Sequence, residues 1–322
     1  IDKEDVVISM THYGYIKRIS LTEYKSQKRG GRGITAHRPK EEDFVENMFI
    51  TNTHDDLLFF TNRGKVYSIK GYEVPEAERT ARGRAIVNIL QLDGDEKVTA
   101  FMPVKEDDSG FLMLATKRGL IKKTPIEEFA RIRKVGKIAI SLVEGDELIS
   151  AQMTSGSDEI IIASESGKCI RFSEENVRSM GRDTQGVKSM KIAADDNVVD
   201  MTSIKPGLEI LTVTSNGYGK RSDPDDYRLQ SRAGKGIKAG IFNDKTGKLV
   251  NLKLISPDDD VMFIADTGII IRIKAKEISK IGRDTQGVRV MRIKDEGKIV
   301  SVAIAAPETE ETEEKDGETA AE

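Results

Sequence analysis

Apolar residues in this chain come in short runs, each closed by a tight turn and answered by a second run in which apolar and basic positions mix. Leu57-Leu58-Phe59-Phe60-Thr61, for example, leads through Asn62-Arg63-Gly64 into Lys65 to Ile69. Runs of this length, rich in β-branched and aromatic residues and bounded by turn formers, predict antiparallel strands joined as a hairpin. The turns recur as Thr11-His12-Tyr13-Gly14, Thr61-Asn62-Arg63-Gly64, Thr116-Lys117-Arg118-Gly119, Ser164-Glu165-Ser166-Gly167, Thr214-Ser215-Asn216-Gly217 and Ala265-Asp266-Thr267-Gly268. Their glycines stand 50, 55, 48, 50 and 51 residues apart. A glycine closing such a turn supplies the positive φ that a side chain resists, so each unit holds at least one hairpin.

The period is therefore about 50 residues and occurs six times, with units starting near Asp5, Asp55, Ser109, Asp158, Leu208 and Asp259. A second signature follows the first: Gly33, Gly186, Gly236 and Gly287 each lie 19 residues after their turn glycine and precede Ile34, Val187, Ile237 and Val288. The second unit reads Gly83-Arg84-Ala85-Ile86, with the apolar residue displaced by two, and Gly136-Lys137-Ile138 in the third breaks the spacing. Further β-rich stretches, Lys97 to Val104, Glu147 to Met153 and Ile299 to Ala305, come late in their units. Units of this size with about four strands each cannot bury both faces alone, which predicts blades of a closed radial array, an all-β six-bladed propeller. Long segments of 3.6-residue period are absent, which excludes helical repeats; Ile126 to Val135 allows at most a short turn of helix. A pair of β-sandwiches is the alternative, and it leaves the near-equal periods without a cause. The last strand candidate, Val300 to Ala305, is expected beside the first, Val6 to Met10, closing the ring.

Composition narrows the function. With 38% apolar and 33% charged residues the chain reads as a soluble globular protein. No apolar run approaches the ~20 residues that cross a bilayer, and no signal-peptide pattern opens the chain, so a cytoplasmic protein is expected. The opening Ile1, in place of a methionine, is taken as the mark of a fragment or processed piece. The one cysteine, Cys169, forbids an internal disulfide or a cysteine-based zinc cluster, and the scattered His12, His37 and His54 offer no metal site. The net charge of -3 hides a segregation: residues 307–322 hold eight acids against Lys315, which leaves residues 1–306 at +4. A segment with no apolar residue larger than alanine cannot offset its ordering entropy, so the chain divides into a folded domain, 1–306, and a disordered acidic tail, 307–322. A solvated tail is the plain reading of that segment. The sharper one is a tethered polyanion that competes with nucleic acid for a basic surface.

Basic residues follow the repeat. The windows 12–40, 63–84, 117–137, 168–191, 217–238 and 272–294 contain 42 of the 51 Lys and Arg residues but only 14 of the 54 acids. Just after the turns stand Lys17-Arg18, Lys65, Lys122-Lys123, Lys168 with Arg171, Lys220-Arg221 and Arg272. If each window occupies an equivalent place in its blade, symmetry puts six patches on one band around the disc. Such a band is the footprint of duplex DNA held by its phosphates with sequence largely unread. A merely solvated charged face is the bland reading.

The heptapeptide Gln27-Lys28-Arg29-Gly30-Gly31-Arg32-Gly33 alternates cations with glycines, so backbone N–H groups are uncovered and cationic heads can sit against phosphates. A disordered Arg-Gly linker is the alternative; a nucleotide-binding loop is weaker, because Gly-x-x-x-x-Gly-Lys-Ser/Thr is absent. The heptad matches at all seven positions the gyrase box of DNA gyrase A subunits, and the chain from Asp5 to about Ala305 resembles the C-terminal domain of that family. Degenerate echoes stand at Arg232-Ala233-Gly234-Lys235-Gly236, at Gly181-Arg182-Asp183-Thr184-Gln185-Gly186-Val187 and at Gly282-Arg283-Asp284-Thr285-Gln286-Gly287-Val288. The second and third units depart most, at Arg79 to Ile86 and Arg131 to Ile138, which puts their share in a wrap in question.

The resemblance implies a six-bladed β-pinwheel whose blades exchange strands with their neighbours. It implies DNA bent around the perimeter with a positive, right-handed crossing, so that the adjoining segment is presented for transport and gyrase introduces negative supercoils. The expected DNA-contact set is Gln27, Lys28, Arg29, Gly30, Gly31, Arg32 and Gly33 of the box, with Lys17, Arg18, Lys65, Lys122, Lys123, Lys168, Arg171, Arg182, Lys220, Arg221, Arg232, Lys235, Arg272 and Arg283 along the band. The box is expected to fasten the DNA at the first blade. Partners implied are double-stranded DNA, the remainder of the gyrase A subunit, the gyrase B subunit, all in the bacterial cytoplasm at the nucleoid, with the domain itself monomeric and no membrane contact. The DNA-cutting tyrosine and the ATP site of that enzyme lie elsewhere, so no catalytic residue and no cofactor are expected in this domain; ATP and Mg serve other parts of the holoenzyme. The seven tyrosines (Tyr13, Tyr15, Tyr24, Tyr67, Tyr72, Tyr218, Tyr227) read mostly as rings at sheet edges, and Asp225-Asp226 and Asp258-Asp259-Asp260 as turn formers. Two alternatives stay open. One is the equivalent C-terminal domain of topoisomerase IV, which selects a transported segment without a full wrap. The other is a protein-interaction or enzymatic propeller with its site at the channel or top face.

Overall fold

All six turn glycines take positive φ, between 73° and 96°, and each donates its N–H at 2.9–3.1 Å to the carbonyl three residues earlier. This geometry comes from a computed structural model that describes residues 1–24, 43–292 and 297–306. The first unit contributes β1 (Asp5–Thr11), β2 (Tyr15–Ser20) and β3 (Val45–Asn52). The second contributes β4 (Asp56–Thr61), β5 (Lys65–Lys70), β6 (Arg84–Ala85) and β7 (Val98–Val104), and the third β8 (Phe111–Thr116), β9 (Leu120–Pro125), β10 (Lys137–Ile138) and β11 (Leu148–Thr154). Then come β12 (Glu159–Ser164), β13 (Lys168–Ser173), β14 (Val187–Lys188) and β15 (Val198–Ser203), followed by β16 (Glu209–Thr214), β17 (Tyr218–Ser222), β18 (Ile237–Lys238) and β19 (Leu249–Ile255). The sixth unit adds β20 (Asp260–Ala265), β21 (Ile270–Lys274), β22 (Val288–Arg289) and β23 (Ile299–Ile304).

Each two-residue strand leaves its own unit. It pairs antiparallel with the second strand of the preceding one, giving sheets ordered β3-β1-β2-β6, β7-β4-β5-β10, β11-β8-β9-β14, β15-β12-β13-β18 and β19-β16-β17-β22. Among the described residues the sixth sheet has three strands, β21-β20-β23. The last strands β7, β11, β15, β19 and β23 touch one another in succession and so line the axis. The borrowed strands therefore form the outer rim. Where the sequence allowed at most a short helical turn, Ile126–Phe129 is a single 3-10 turn.

The continuous apolar runs of the first strands follow from this stacking. Side chains alternate across a strand, and here both faces meet another blade. Leu57 and Phe59 of β4 enter the core shared with the first blade, while Leu58 and Phe60 enter the core shared with the third. Ile160 and Ile162 of β12 face the third blade and Ile161 and Ala163 the fifth. A sheet buried on both faces has no polar side to alternate with.

Ring closure differs from the expectation. The first strand β1 is flanked by β2 and β3, so the last strand does not lie beside it. Instead, β23 runs out against the start of β3: Ala306 N–H donates to the Val45 carbonyl at 3.1 Å, and Phe44 packs with Met262, Ala303 and Ala305. The reason is topological, since the axial position in each blade belongs to the last strand of the unit and not to the first. Among the described residues this seam is also the thinnest. The cluster that spans it holds four buried residues, where those of the other five interfaces hold eight to twelve each.

At the seam His12 stacks on Phe44 with centroids 5.1 Å apart, and its ring nitrogen lies 3.2 Å from Glu46 Oε2. The hydrogen bond and charge of Glu46 raise the His12 pKa above the usual 6.5 against the opposing effect of burial. A raised folded value stabilises the protonated form, so this contribution is full below the unfolded pKa and is lost as pH rises through the folded one. Proton NMR of the His12 ring is expected to give a midpoint above 6.5 in the native chain, and Glu46→Gln is expected to lower it; an unmoved midpoint would refute the pairing.

Candidate nucleic-acid interface

The second glycine signature marks where the borrowed strand lies down on its host. Gly83, Gly136, Gly186, Gly236 and Gly287 all have positive φ, between 72° and 91°. A Cβ on Gly186 would stand 2.6 Å from the Ile121 carbonyl oxygen, and one on Gly83 2.5 Å from that of Ile16. Only glycine permits both the backbone turn and the approach. The second and third units, irregular in sequence, use the same device: β6 pairs with β2 and β10 with β5, so Arg79 to Ile86 and Arg131 to Ile138 occupy the same outer place as their counterparts.

Each borrowed strand carries one basic residue: Arg84, Lys137, Lys188, Lys238 and Arg289, all exposed. They stand on the outermost strand of their blades and were not singled out from the sequence, although a signal was there, one or two residues after the second glycine. Arg131, Arg133 and Lys134 add an exposed cluster on the second blade's rim, and Lys235 is exposed on the fourth's. Of the cations just after the turns, Lys65 is half-buried and Lys168 exposed.

Three of the remaining post-turn cations, Lys17, Lys122 and Lys220, are turned inward, whereas Arg272 is exposed. Lys122 is completely buried, and its Nζ donates to the carbonyls of Ala139 (2.6 Å), Gly181 (3.0 Å), Arg182 (2.6 Å) and Thr184 (3.1 Å). Lys220, also buried, donates to Arg283 and, at 2.8 Å, to Thr285. Lys17 donates to Glu78 (3.2 Å), Arg79 and Ala81 (2.9 Å). Burial pushes the Lys122 and Lys220 ammonium groups down to about 8 and lowers Lys17 as well. These three lysines, placed by sequence on a DNA-facing band, instead tie the next unit's outer loop to the host blade. The second strand that bears them is covered by the borrowed one.

The following position is engaged too. Buried Lys123 donates to Glu174 O at 3.1 Å and lies over the Phe111 ring. Arg171 pairs with Glu159 and donates to the Pro224 and Tyr227 carbonyls. Arg221 pairs with Glu209 at 2.8 Å and donates to Ile278 O, Arg18 donates to Val74 O, and Arg272 lies 3.4 Å from Asp260. A third set stitches neighbouring rims. Arg182 donates to Glu128 O and to Ile138 O of β10, Arg232 to Asn176 O and to Lys188 O of β14, and Arg283 to Asp226 O and to Lys238 O of β18. Each guanidinium thereby links two successive outer edges while its charge stays at the perimeter.

The box residues Gln27, Lys28, Arg29, Gly30, Gly31, Arg32 and Gly33 lie outside the described residues, as does the segment 307–322. The tyrosines depart from the edge reading: Tyr24, Tyr67, Tyr218 and Tyr227 are buried, Tyr67 donating to Glu96, while Tyr13 is exposed and Tyr15 lies under the Arg82 guanidinium at 4.0 Å. Burial pushes the Cys169 thiol up to about 12, so it is no nucleophile. Among the described residues no His, Cys, Asp and Glu group could hold a metal ion, and no helix is long and apolar enough to cross a membrane.

Two substitutions separate the inward from the outward cations. Lys122→Met leaves the buried-side carbonyls of Ala139 and Arg182 without a donor, while Gly181 O keeps Thr184 Oγ1 and Thr184 O keeps the Ser141 N–H, and it is expected to lower unfolding stability by about 2–3 kcal/mol. Lys137→Ala on the exposed rim is expected to change it by less than about 0.5 kcal/mol. Thermal or urea melts of the two variants check the contrast.

Comparison with known proteins agrees with this architecture. The sequence model described as DNA gyrase C-terminal domain, beta-propeller, matches residues 5–52, 55–105, 110–155, 158–205, 208–256 and 259–306. The DNA gyrase A subunit of Salmonella typhimurium is 44% identical over 323 residues, covering 99% of this chain and 37% of the relative. That of Staphylococcus aureus is 41% identical over 326 residues, covering 100% and 37%. The chain thus spans little more than a third of the curated relatives it matches. A crystal structure of a DNA topoisomerase IV C-terminal domain superposes with a TM-score of 0.84 at 25% identity, covering 94% of each chain. A structure of a DNA gyrase A C-terminal domain superposes at 0.68 with 30% identity, covering 94% of this chain and all of that one. Six consecutive family matches that coincide with six blades identify the chain as a member of the DNA gyrase C-terminal domain family, the β-propeller of the A subunit of a type II topoisomerase.

Proposed function

We propose that this domain binds duplex DNA along its rim and wraps it with positive, right-handed chirality, presenting the adjoining segment so that DNA gyrase introduces negative supercoils. The observation that carries the reading is the exposed cation on each of the five borrowed strands. Bending a duplex over tens of base pairs costs on the order of several kcal/mol, which many phosphate contacts along an arc offset. Five equivalent strand edges on a curved perimeter, linked by Arg182, Arg232 and Arg283, supply such an arc. Residues 1–306 form the wrapping domain, with the box adding contacts at the first blade and 307–322 acting as an acidic tail that competes for the rim. The partners are the gyrase B subunit, together with the rest of the gyrase A subunit, in the bacterial cytoplasm. ATP and Mg act elsewhere in that assembly, and the domain contributes geometry without bond chemistry.

A second reading has one observation in its favour: the ring superposes better on a topoisomerase IV domain than on a gyrase one. Against it stand the complete box and the 44% identity to gyrase A subunits.

The deciding experiment seals nicked circular plasmid with ligase in the presence of the domain and reads the linking-number distribution. A positive shift that grows with protein is expected. Binding without a shift would move the assignment to the topoisomerase IV reading. Log affinity is also expected to fall steeply with log salt, and alanine at Arg84, Lys137, Lys188, Lys238 and Arg289 together should flatten the slope by up to about 4 to 5, at ~0.9 per phosphate released. An unchanged slope would remove these five from the contact set.

A further inference from the structure

The caged lysines have a consequence for the loops they hold. A trans peptide points the C=O of one residue and the N–H of the next in opposite directions, and no cis peptide occurs among the described residues. Lys122 lies beneath the loop from Gly181 to Gly186 and gathers the carbonyls of Gly181, Arg182 and Thr184 around its Nζ. The N–H groups of Arg182, Asp183 and Gln185 must then point away from it. Asp183 and Gln185 are exposed, and none of these three amides donates a hydrogen bond among the described residues. The near copy of the loop repeats the arrangement. Lys220 gathers the carbonyls of Arg283 and Thr285, which turns the amides of Asp284 and Gln286 outward, again without an acceptor among the described residues.

Resting on the DNA-binding reading above, we propose that Lys122 and Lys220 are positioning residues that invert these two rim loops, so that the backbone amides of Arg182, Asp183, Gln185, Asp284 and Gln286 form anion nests for DNA phosphates. Clustered outward amides make concavities that favour anions. The buried ammonium lies on the carbonyl side of each loop, and the loop's arginine holds the neighbouring rim through Nε and Nη1, with further N–H groups of its guanidinium left over. Asp183 and Asp284 are the acids of the same loops, both exposed, where water and salt screen them. The fourth unit supplies the contrast. At the position of Lys122 and Lys220 it has Ile170, and in the loop packed there Ala233 N–H donates inward to Ser189 O at 2.8 Å. The nests therefore mark the rims of the third and fifth blades and skip the fourth.

The test is amide NMR on the deuterated, 15N-labelled 322-residue chain, titrated with a short duplex and separately with inorganic phosphate. With duplex, the five amides named above are expected to shift and to gain protection from hydrogen exchange, while Ala233 stays unmoved. Phosphate alone should shift the same five more weakly. If the duplex binds by gel shift and these amides do not move, the nests are refuted and the wrapping reading stands; absence of any duplex binding overturns both. Salt titration distinguishes positioning from direct contact. Lys122→Met and Lys220→Met should each weaken binding on the order of tenfold with the salt slope unchanged. A slope lowered by ~0.9 per lysine would mean that the ammonium itself reaches a phosphate, and would overturn the proposal. If either variant fails to fold, the amide titration of the native chain decides alone.

Discussion

The pairing of each two-residue strand with the second strand of the preceding unit is the constraint on which the rest of this molecule depends. Among the described residues it fastens each unit from the second to the sixth to the one before it by backbone hydrogen bonds, where a simple propeller relies on apolar contact between blade faces. It also decides what the perimeter is made of, because the outer edge of one blade is written in the sequence of the next. The glycine before each borrowed strand is the local condition for this, since a Cβ on Gly186 would stand only 2.6 Å from the Ile121 carbonyl oxygen. A side chain there would push the strand off its host and with it the cation that follows.

The same pairing sorts the basic residues into two populations of different physical meaning. Most cations at the third and fourth positions after the turn glycine lie on a covered part of the host strand, where carbonyl dipoles or partners such as Glu159 and Glu209 neutralise their charge. Burying an ammonium is costly unless its hydrogen-bonding capacity is met, and Lys122 meets it with four carbonyls. Those carbonyls belong largely to the next unit's outer loop, so the cost of burial is offset by fixing the element that faces solvent. Cations on the borrowed strand remain in water and keep their counterions. A cation that stays in water can release counterions to a polyanion, whereas one buried on carbonyls cannot.

The blade count and the hairpin turns were legible because they rest on local rules repeated six times: positive φ at Gly14 and its counterparts, and apolar runs on strands buried on both faces. What was not legible depends on which strand lies at which radius. Lys122 and Lys137 are both basic residues in one window, and nothing local says that the first is inside and the second outside. Ring closure failed for the same reason, since Phe44 precedes its strand and no periodicity marks it as the seam residue. Acids were another loss. Glu96, Asp146 and Asp196 are buried at the turn before the last strand and accept hydrogen bonds from Thr61, from the Arg118 amide and from Ser166 respectively, a repeated device that composition reads only as surface charge.

The uneven seam connects the fold to the choice between the two topoisomerase readings. Five interfaces are held by a borrowed strand and a core of at least eight buried residues, so the relative placement of those blades is fixed by the sequence of each pair. Between the sixth blade and the first, the described residues pack Phe44 against Met262, Ala303 and Ala305 and pair the Ala306 N–H with the Val45 carbonyl. A superposition score responds to how whole blades are placed around the axis, whereas identity over the blades responds to the residues themselves. That asymmetry is the physical reason to weigh 44% identity to gyrase A subunits above a TM-score of 0.84 to a topoisomerase IV domain.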